Sequence, residues 1–375
     1  MISMLILTLQ VGCGESGDSS ERDSSGSDKI KIGVSIWNST DSLGSQCKRI
    51  LDQAAAALGD VELEYIDQGH VSEKVAASVE TLINDGCKGI IICNSADTEM
   101  TSVINTCNEN QVYIAQFFRI ISEENAKDVY DLATASDYFI GAVHEDEPDN
   151  CEKLGNILLE KGCRKLGMIG WEQGDTTWIG RWQGYNKAVD DWNIAHPDDQ
   201  AVLTEPVYAG TTAEGGAKAA DTLMSEYPDL DALIPAGGGG EPLEGTLEAV
   251  ERAGKVGEIK VVSTDFRVDL EKRLKDGSIT AESGGHYCDP LFAFMFVYNA
   301  VRGRYKGFAG QFNDILYPYL FIDSPEAYAD YDKYFVKRLP YTDDELRAIA
   351  DLSFDELVKK TSSLSIEDAT ARSAK

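Results

Sequence analysis

The sequence predicts an α/β protein built as two Rossmann-like parallel-sheet lobes joined by a three-segment hinge, and three observations carry that prediction. Short apolar runs alternate regularly with amphipathic stretches. The alternation pauses in the middle of the chain and then restarts. At 375 residues the chain is also too long for one ordinary core.

The first series begins at Lys29. KIKIGVSIW reads as a strand buried on both faces, as parallel strands are. Residues 43–58 have helical periodicity and stop at Leu58-Gly59-Asp60. VELEYID gives a second strand, residues 72–85 a helix, KGIIICN a third strand, residues 97–108 a helix and VYIAQFF a fourth strand. The second series runs YFIGAV, a helix over 147–161, KLGMIGW, a helix over 178–192, AVLTEPVY, a helix over 213–226, DALIPAG, a helix over 241–254 and IKVVSTD. Beyond residue 306, FNDILYPYLFID is expected to form a third interlobe strand. PYTDDELRAIADLSFDELVKK reads as one or two helices opened by TDDE, and the tail over about 306–375 is expected to pack outside one domain.

MISMLILTLQVGC reads as the end of a secretory signal closing on a lipobox, residues 1–13, with Cys13 as the lipidated mature N-terminus. No Lys or Arg precedes the apolar run, and Gln10 stands where that box usually has Leu; the alternative is an ordinary cleaved signal. Residues 14–28, GESGDSSERDSSGSD, contain no apolar side chain and are expected to be a disordered tether.

The net charge of −30 repels nucleic acid and anionic lipid, so no nucleic-acid partner is expected. Seven cysteines follow Cys13, at 47, 87, 93, 107, 151, 163 and 288, with no CxxC pair and no Cys/His cluster, so no zinc is predicted. No loop has the spacing of a calcium site. GGGG at 237–240 is not followed by Lys-Ser/Thr, and no GxGxxG opens a helix after the first strand. No cofactor is therefore expected. There is no nucleophile elbow and no evident His-Asp-Ser set, so the chain does not read as an enzyme.

Ligands of open parallel sheets sit beyond the carboxyl ends of the strands. In those positions stand Trp37, Asp41, Asn94, Phe117, Phe118, Trp178, Arg181, Asp265 and His286. Carboxylates that accept, a planar arginine that donates and aromatic faces that stack suit the hydroxyls and C–H faces of a sugar ring. Several of these residues have a second reading. One of Phe117 and Phe118 is expected to be packing. Asp265 could cap the next helix, and Asn94 could serve a turn. Trp178 either stacks a ring or walls the cleft, His286 could be structural, and Trp182 reads as core.

In the order of these pieces the chain resembles the type I periplasmic sugar-binding proteins, the ribose and galactose receptor family of ABC importers. IKIGVSIW…LDQAAAALG…VELEYID, GRWQGYNKAV, VVSTDF and GSITAESGGHYCDPLF carry the resemblance, over about residues 29–310. It implies that Arg181 and Asp265 bind sugar hydroxyls. It places Asp41 and Trp37 in the pocket loop after the first strand, Phe117 or Phe118 after the fourth, and His286 at the amide position of the second crossover. Gly239 and Gly240 stand where the family usually has Asn-Asp, which leaves room for a ligand bulkier than ribose. With Arg181 the one well-placed arginine, a phosphorylated sugar is not expected. The implied architecture is an N-terminal lobe of 29–118 plus 286–307, a C-terminal lobe of 119–285 plus 308–321, and a helical extension over 322–375. The hinge crossings fall near 118–136, 285 and 308–320.

The function so implied is that of a solute-binding lipoprotein which closes on a monosaccharide or polyol and feeds an ABC permease. It would act as a monomer on the outer face of the cytoplasmic membrane or in the periplasm. The alternative is a receptor that signals to a sensor kinase or chemoreceptor. A repressor core is disfavoured, because no helix-turn-helix precedes residue 29 and the charge is wrong for DNA.

Overall fold

The computed structural model describes residues 29–69, 71–173, 176–237 and 241–373. The leader, Cys13, the 14–28 tether, Gly239 and Gly240 lie outside the described residues.

The first series comprises β1 (Ile30–Ile36), α1 (Ser42–Leu58), β2 (Val61–Asp67), α2 (Ser72–Asn84), β3 (Gly89–Ile92), α3 (Glu99–Asn110), β4 (Tyr113–Phe117), α4 (Lys127–Ala135) and β5 (Phe139–Glu145). The second comprises α5 (Glu147–Glu160), β6 (Lys165–Gly170), α6 (Thr176–Ala195), β7 (Val202–Leu203), β8 (Val207–Tyr208), α7 (Ala213–Glu226), β9 (Ala232–Pro235), α8 (Glu241–Arg252), β10 (Lys260–Thr264), α9 (Leu270–Asp276) and β11 (Ala281–Gly284). A 3-10 turn (His286–Cys288) then leads into α10 (Asp289–Val301), β12 (Asp314–Tyr317) and β13 (Leu320–Ile322). The chain ends with α11 (Pro325–Tyr331), a π-helical turn (Asp332–Val336), α12 (Asp343–Ala350), α13 (Phe354–Thr361) and α14 (Ile366–Ser373).

Two sheets result. The first has the order β12-β5-β4-β3-β1-β2, and the second β13-β11-β10-β9-β6-β7 with β8 also on β6. Every pairing is parallel except β11 with β13. The α10 sequence DPLFAFMFVYNAV is buried almost all round and packs on β3, β4 and β5, as a helix without a polar face must. Gly89 lets it approach: a Cβ there would lie 2.2 Å from Val297 Cγ1.

The strand pairings move two expected boundaries. Phe139–Glu145 pairs with β4, Phe117 opposite Val143, so the first sheet extends through residue 145 and α4 is one of its crossover helices. The first passage between lobes is thus at 145–147 rather than 118–136, and residues 119–145 belong with the N-terminal lobe. The second passage lies between β11 and α10. At the third, β12 pairs with β5 and β13 with β11, so the chain changes sheet at Pro318-Tyr319 and residues 314–317 also belong with the first sheet. AVLTEPVY is two short strands, because Pro206 has no N–H for a continuous ladder.

The C-terminal extension does not sit on one domain. α11 packs on α9 and β13 of the second lobe, whereas α12 and α13 pack on α1, α10 and β12 of the first. Capping boxes start α12 at Thr342 and α13 at Ser353.

Candidate functional site in the interlobe cleft

The carboxyl ends of both sheets face a cavity of about 720 Å³ lined by residues of both lobes and of the passages between them. From the first lobe come Trp37 and Asp41 after β1, Phe118 and Arg119 after β4, and Glu145 at the end of β5. The second lobe contributes Glu147, Trp171, Arg181, Asp265 and Arg267. His286 and Tyr319 lie on the second and third passages.

One wall is aromatic. Trp37 and Phe118 have ring centroids 5.8 Å apart, Phe118 meets His286 edge-on at 5.2 Å, and His286 meets Tyr319 at 5.1 Å. Trp37 is aimed by its Nε1, which donates to Asp41 Oδ2 at 2.6 Å, while Asp41 Oδ1 caps α1 by accepting the Gly44 N–H at 2.7 Å. Asp41 therefore does both jobs, helix cap and cleft residue.

The rest of the lining is largely charged. Arg181 lies on α6 and is only 4% exposed. Its Nε and Nη2 donate to the two oxygens of Glu147 at 2.8 and 3.1 Å, and its Nη1 donates to the Ala236 carbonyl at 2.6 Å. The Trp171 ring lies 5.2 Å from the guanidinium carbon, and Tyr319 donates to Glu147 at 2.9 Å. Burial works against the charge on Arg181, but Glu147, Tyr319 and Asp265 outweigh it and raise its pKa well above the ordinary value.

Two of the three non-glycine residues with positive φ among the described residues line the cleft: Phe118 at 56° and Asp265 at 77°. Such backbone is costly and collects at functional positions. Asp265 does not cap a helix, since α9 starts at Leu270. Its Oδ1 lies 3.3 Å from His286 Nε2. Burial lowers the His286 pKa despite Asp265 and Glu147, which favours the neutral ring at pH 7.

Below the cleft, Asp289 opens α10 and accepts the Phe118 N–H at 3.2 Å. Glu145 lies against it, and burial pushes the Glu145 carboxyl well above the usual range, with Asp289 and Glu147 adding to the effect. Burial raises the Asp289 carboxyl as well, against the pull of the Phe118 N–H.

Six of the nine residues singled out from sequence thus meet at the cleft: Trp37, Asp41, Phe118, Arg181, Asp265 and His286. Three do not. Phe117 is fully buried in the core of the first lobe. Trp178 points into the second lobe against Gly170, where a Cβ would lie 2.8 Å from its ring. Asn94 is a turn residue, donating to the Ala96 carbonyl at 3.1 Å and accepting from Gln116 at 2.6 Å. Trp182 is half-buried against the second-lobe core.

Arg119, Trp171 and Arg267 were missed as individual residues although each sits in a strand-end loop. Their presence corrects the reading of Arg181 as the one arginine in place. Glu145 and Glu147 were missed because the first passage had been misplaced, whereas Tyr319 lies inside the expected third crossing and was not singled out there.

Two α/β lobes around such a cleft define a type I binding protein. A periplasmic binding protein domain model matches residues 32–285, and the chain belongs to that family. A D-ribose/D-allose-binding protein of Pseudomonas aeruginosa is 40% identical over 68 residues, 18% of this chain and 21% of that protein's length. Among solved structures, the arabinose-transporter binding component of Shewanella sp. ANA-3, bound to L-arabinofuranose, aligns with a TM-score of 0.64 at 19% identity, covering 82% of this chain and 96% of that one. A solute-binding protein of Bacillus halodurans C-125 with bound myo-inositol gives 0.62 at 18% identity, covering 82% and 99%. At these identities the likeness is one of fold.

Proposed function

We propose that this chain is the extracytoplasmic solute-binding component of an ABC importer and that its lobes close on a sugar or sugar-like polyol. The observation that carries the reading is the juxtaposition of an aromatic wall with paired polar groups. Trp37 and Phe118 offer faces for C–H surfaces, while Arg181, Glu147, Asp265 and the neutral His286 offer fixed donors and acceptors for hydroxyls. The names of the similar proteins, binders of ribose or allose, arabinose and inositol, point to the same ligand class. Binding contacts from both lobes favour the closed form, and no bond is made or broken. The same reading makes Cys13 the lipidated end of a membrane-tethered monomer.

A thermal-shift screen against pentoses, hexoses, inositols, nucleosides and amino acids tests the ligand class. A ligand at a thousand times its Kd adds about 4 kcal/mol of stability. Stabilisation by sugars alone supports the proposal, and stabilisation by amino acids or nucleosides alone overturns it.

A further inference from the structure

We propose that the C-terminal extension is a fourth interlobe connection that limits opening of the cleft, with Tyr331 as the residue through which it reaches the ligand. The part concerning ligand contact rests on the cleft being the binding site. The limit on opening does not.

The family match ends at residue 285, so it says nothing of this segment. After the third passage the chain stays with the second lobe through α11, which packs on α9. It then returns to the first lobe within one π-helical turn, a form that concentrates at functional positions. The landing is tied by side chains of the first lobe and of the second passage. Tyr287 Oη donates to the Phe335 carbonyl at 2.8 Å, Arg49 Nη1 to the Val336 carbonyl at 2.8 Å, and Gln53 Nε2 to the Tyr341 carbonyl at 3.1 Å.

Across this junction runs a ladder of rings. Phe266, the neighbour of Asp265, meets Tyr331 edge-on at 4.7 Å, and Tyr331 stacks on Phe335 at 5.6 Å with planes 17° apart. Tyr331 and Phe266 both line the cleft. Rotation that separates the lobes must pull this ladder apart or bend the turn between α11 and Phe335. A ligand held by Asp265 would in turn hold Phe266 against Tyr331. Extension and ligand would then favour the same closed arrangement.

The test uses the whole chain without ligand. Small-angle scattering compares wild type with Tyr331→Phe, which keeps the ring, and Tyr331→Leu, which fills the space without it. Circular dichroism and cooperative melting check that each folds. The expected result is a larger radius of gyration for Tyr331→Leu and an unchanged one for Tyr331→Phe. Identical scattering from all three folded proteins overturns the proposal, whatever the ligand proves to be. If Tyr331→Leu does not fold, amide hydrogen exchange of wild type decides. Protection of residues 325–336 comparable to that of α10 is expected, and exchange as fast as in exposed loops contradicts a strap. Should no sugar bind while the scattering difference stands, the sugar reading fails and the strap survives.

Discussion

Glu282 offers a direct check on the electrostatics beneath the cleft. It lies on β11, fully buried, with Oε2 accepting the Arg267 N–H at 2.9 Å and Oε1 without a partner. Burial pushes its carboxyl from 4.5 up to about 8, against the pull of the Arg267 N–H and charge. A carboxyl whose folded pKa is raised stabilises the fold in its protonated form. That stability is complete below about pH 4.5 and is lost as pH rises towards 8. At about 1.4 kcal/mol per unit, the loss between pH 5 and 7.5 is roughly 3 kcal/mol. Glu282→Gln cannot ionise and removes this slope. Urea unfolding at a series of pH values should show the variant gaining roughly 3 kcal/mol on wild type between those limits. Parallel curves for the two proteins would refute the argument.

Three further outcomes are expected. Gly184→Ala places a Cβ 2.2 Å from the Pro148 carbonyl and wedges α5 from α6, which carry Glu147 and Arg181; a cost of about 1–3 kcal/mol and weaker sugar binding should follow in melting and calorimetry. Gln111 ends α3 at φ 56°, and Gln111→Gly should gain about 0.5–1 kcal/mol in chemical denaturation without touching the cleft. The seven described cysteines are free and buried, with Cys87 and Cys93 pushed up by burial to about 11. A thiol reagent should therefore find almost none of them in the native protein and all seven in denaturant, and fewer than seven would reveal disulfides.

The sheet alternation was legible because buried parallel strands are continuous apolar runs, and Arg181 was legible because it lies in the second turn of the helix after a strand end. Lobe membership was not. The YFIGAV run has the same pattern in either sheet, and only its pairing with β4 assigns it to the first. Glu147 was hidden by that misplacement, since it is the first residue across the true passage. Trp178 was misplaced for a different reason. Strand-end position does not say which way a side chain points, and Gly170 opens a space in the second-lobe core that the indole fills. The reach of the extension depends on carbonyls of residues 335–341 meeting Arg49, Gln53 and Tyr287, distant in sequence and bearing no local signature.

The most direct test of the central claim is calorimetric titration of the sugar that stabilises the chain most, against wild type and Asp265→Asn. Asp265 accepts from a ligand hydroxyl in this account, and its cleft position is held at a costly φ of 77°. The variant keeps the shape of the side chain and loses its charge. Wild type is expected to show one site per chain, and the variant a Kd at least tenfold weaker, a loss of about 1.4 kcal/mol or more. Equal affinity in both proteins would mean that the sugar binds elsewhere and would contradict the cleft as the site.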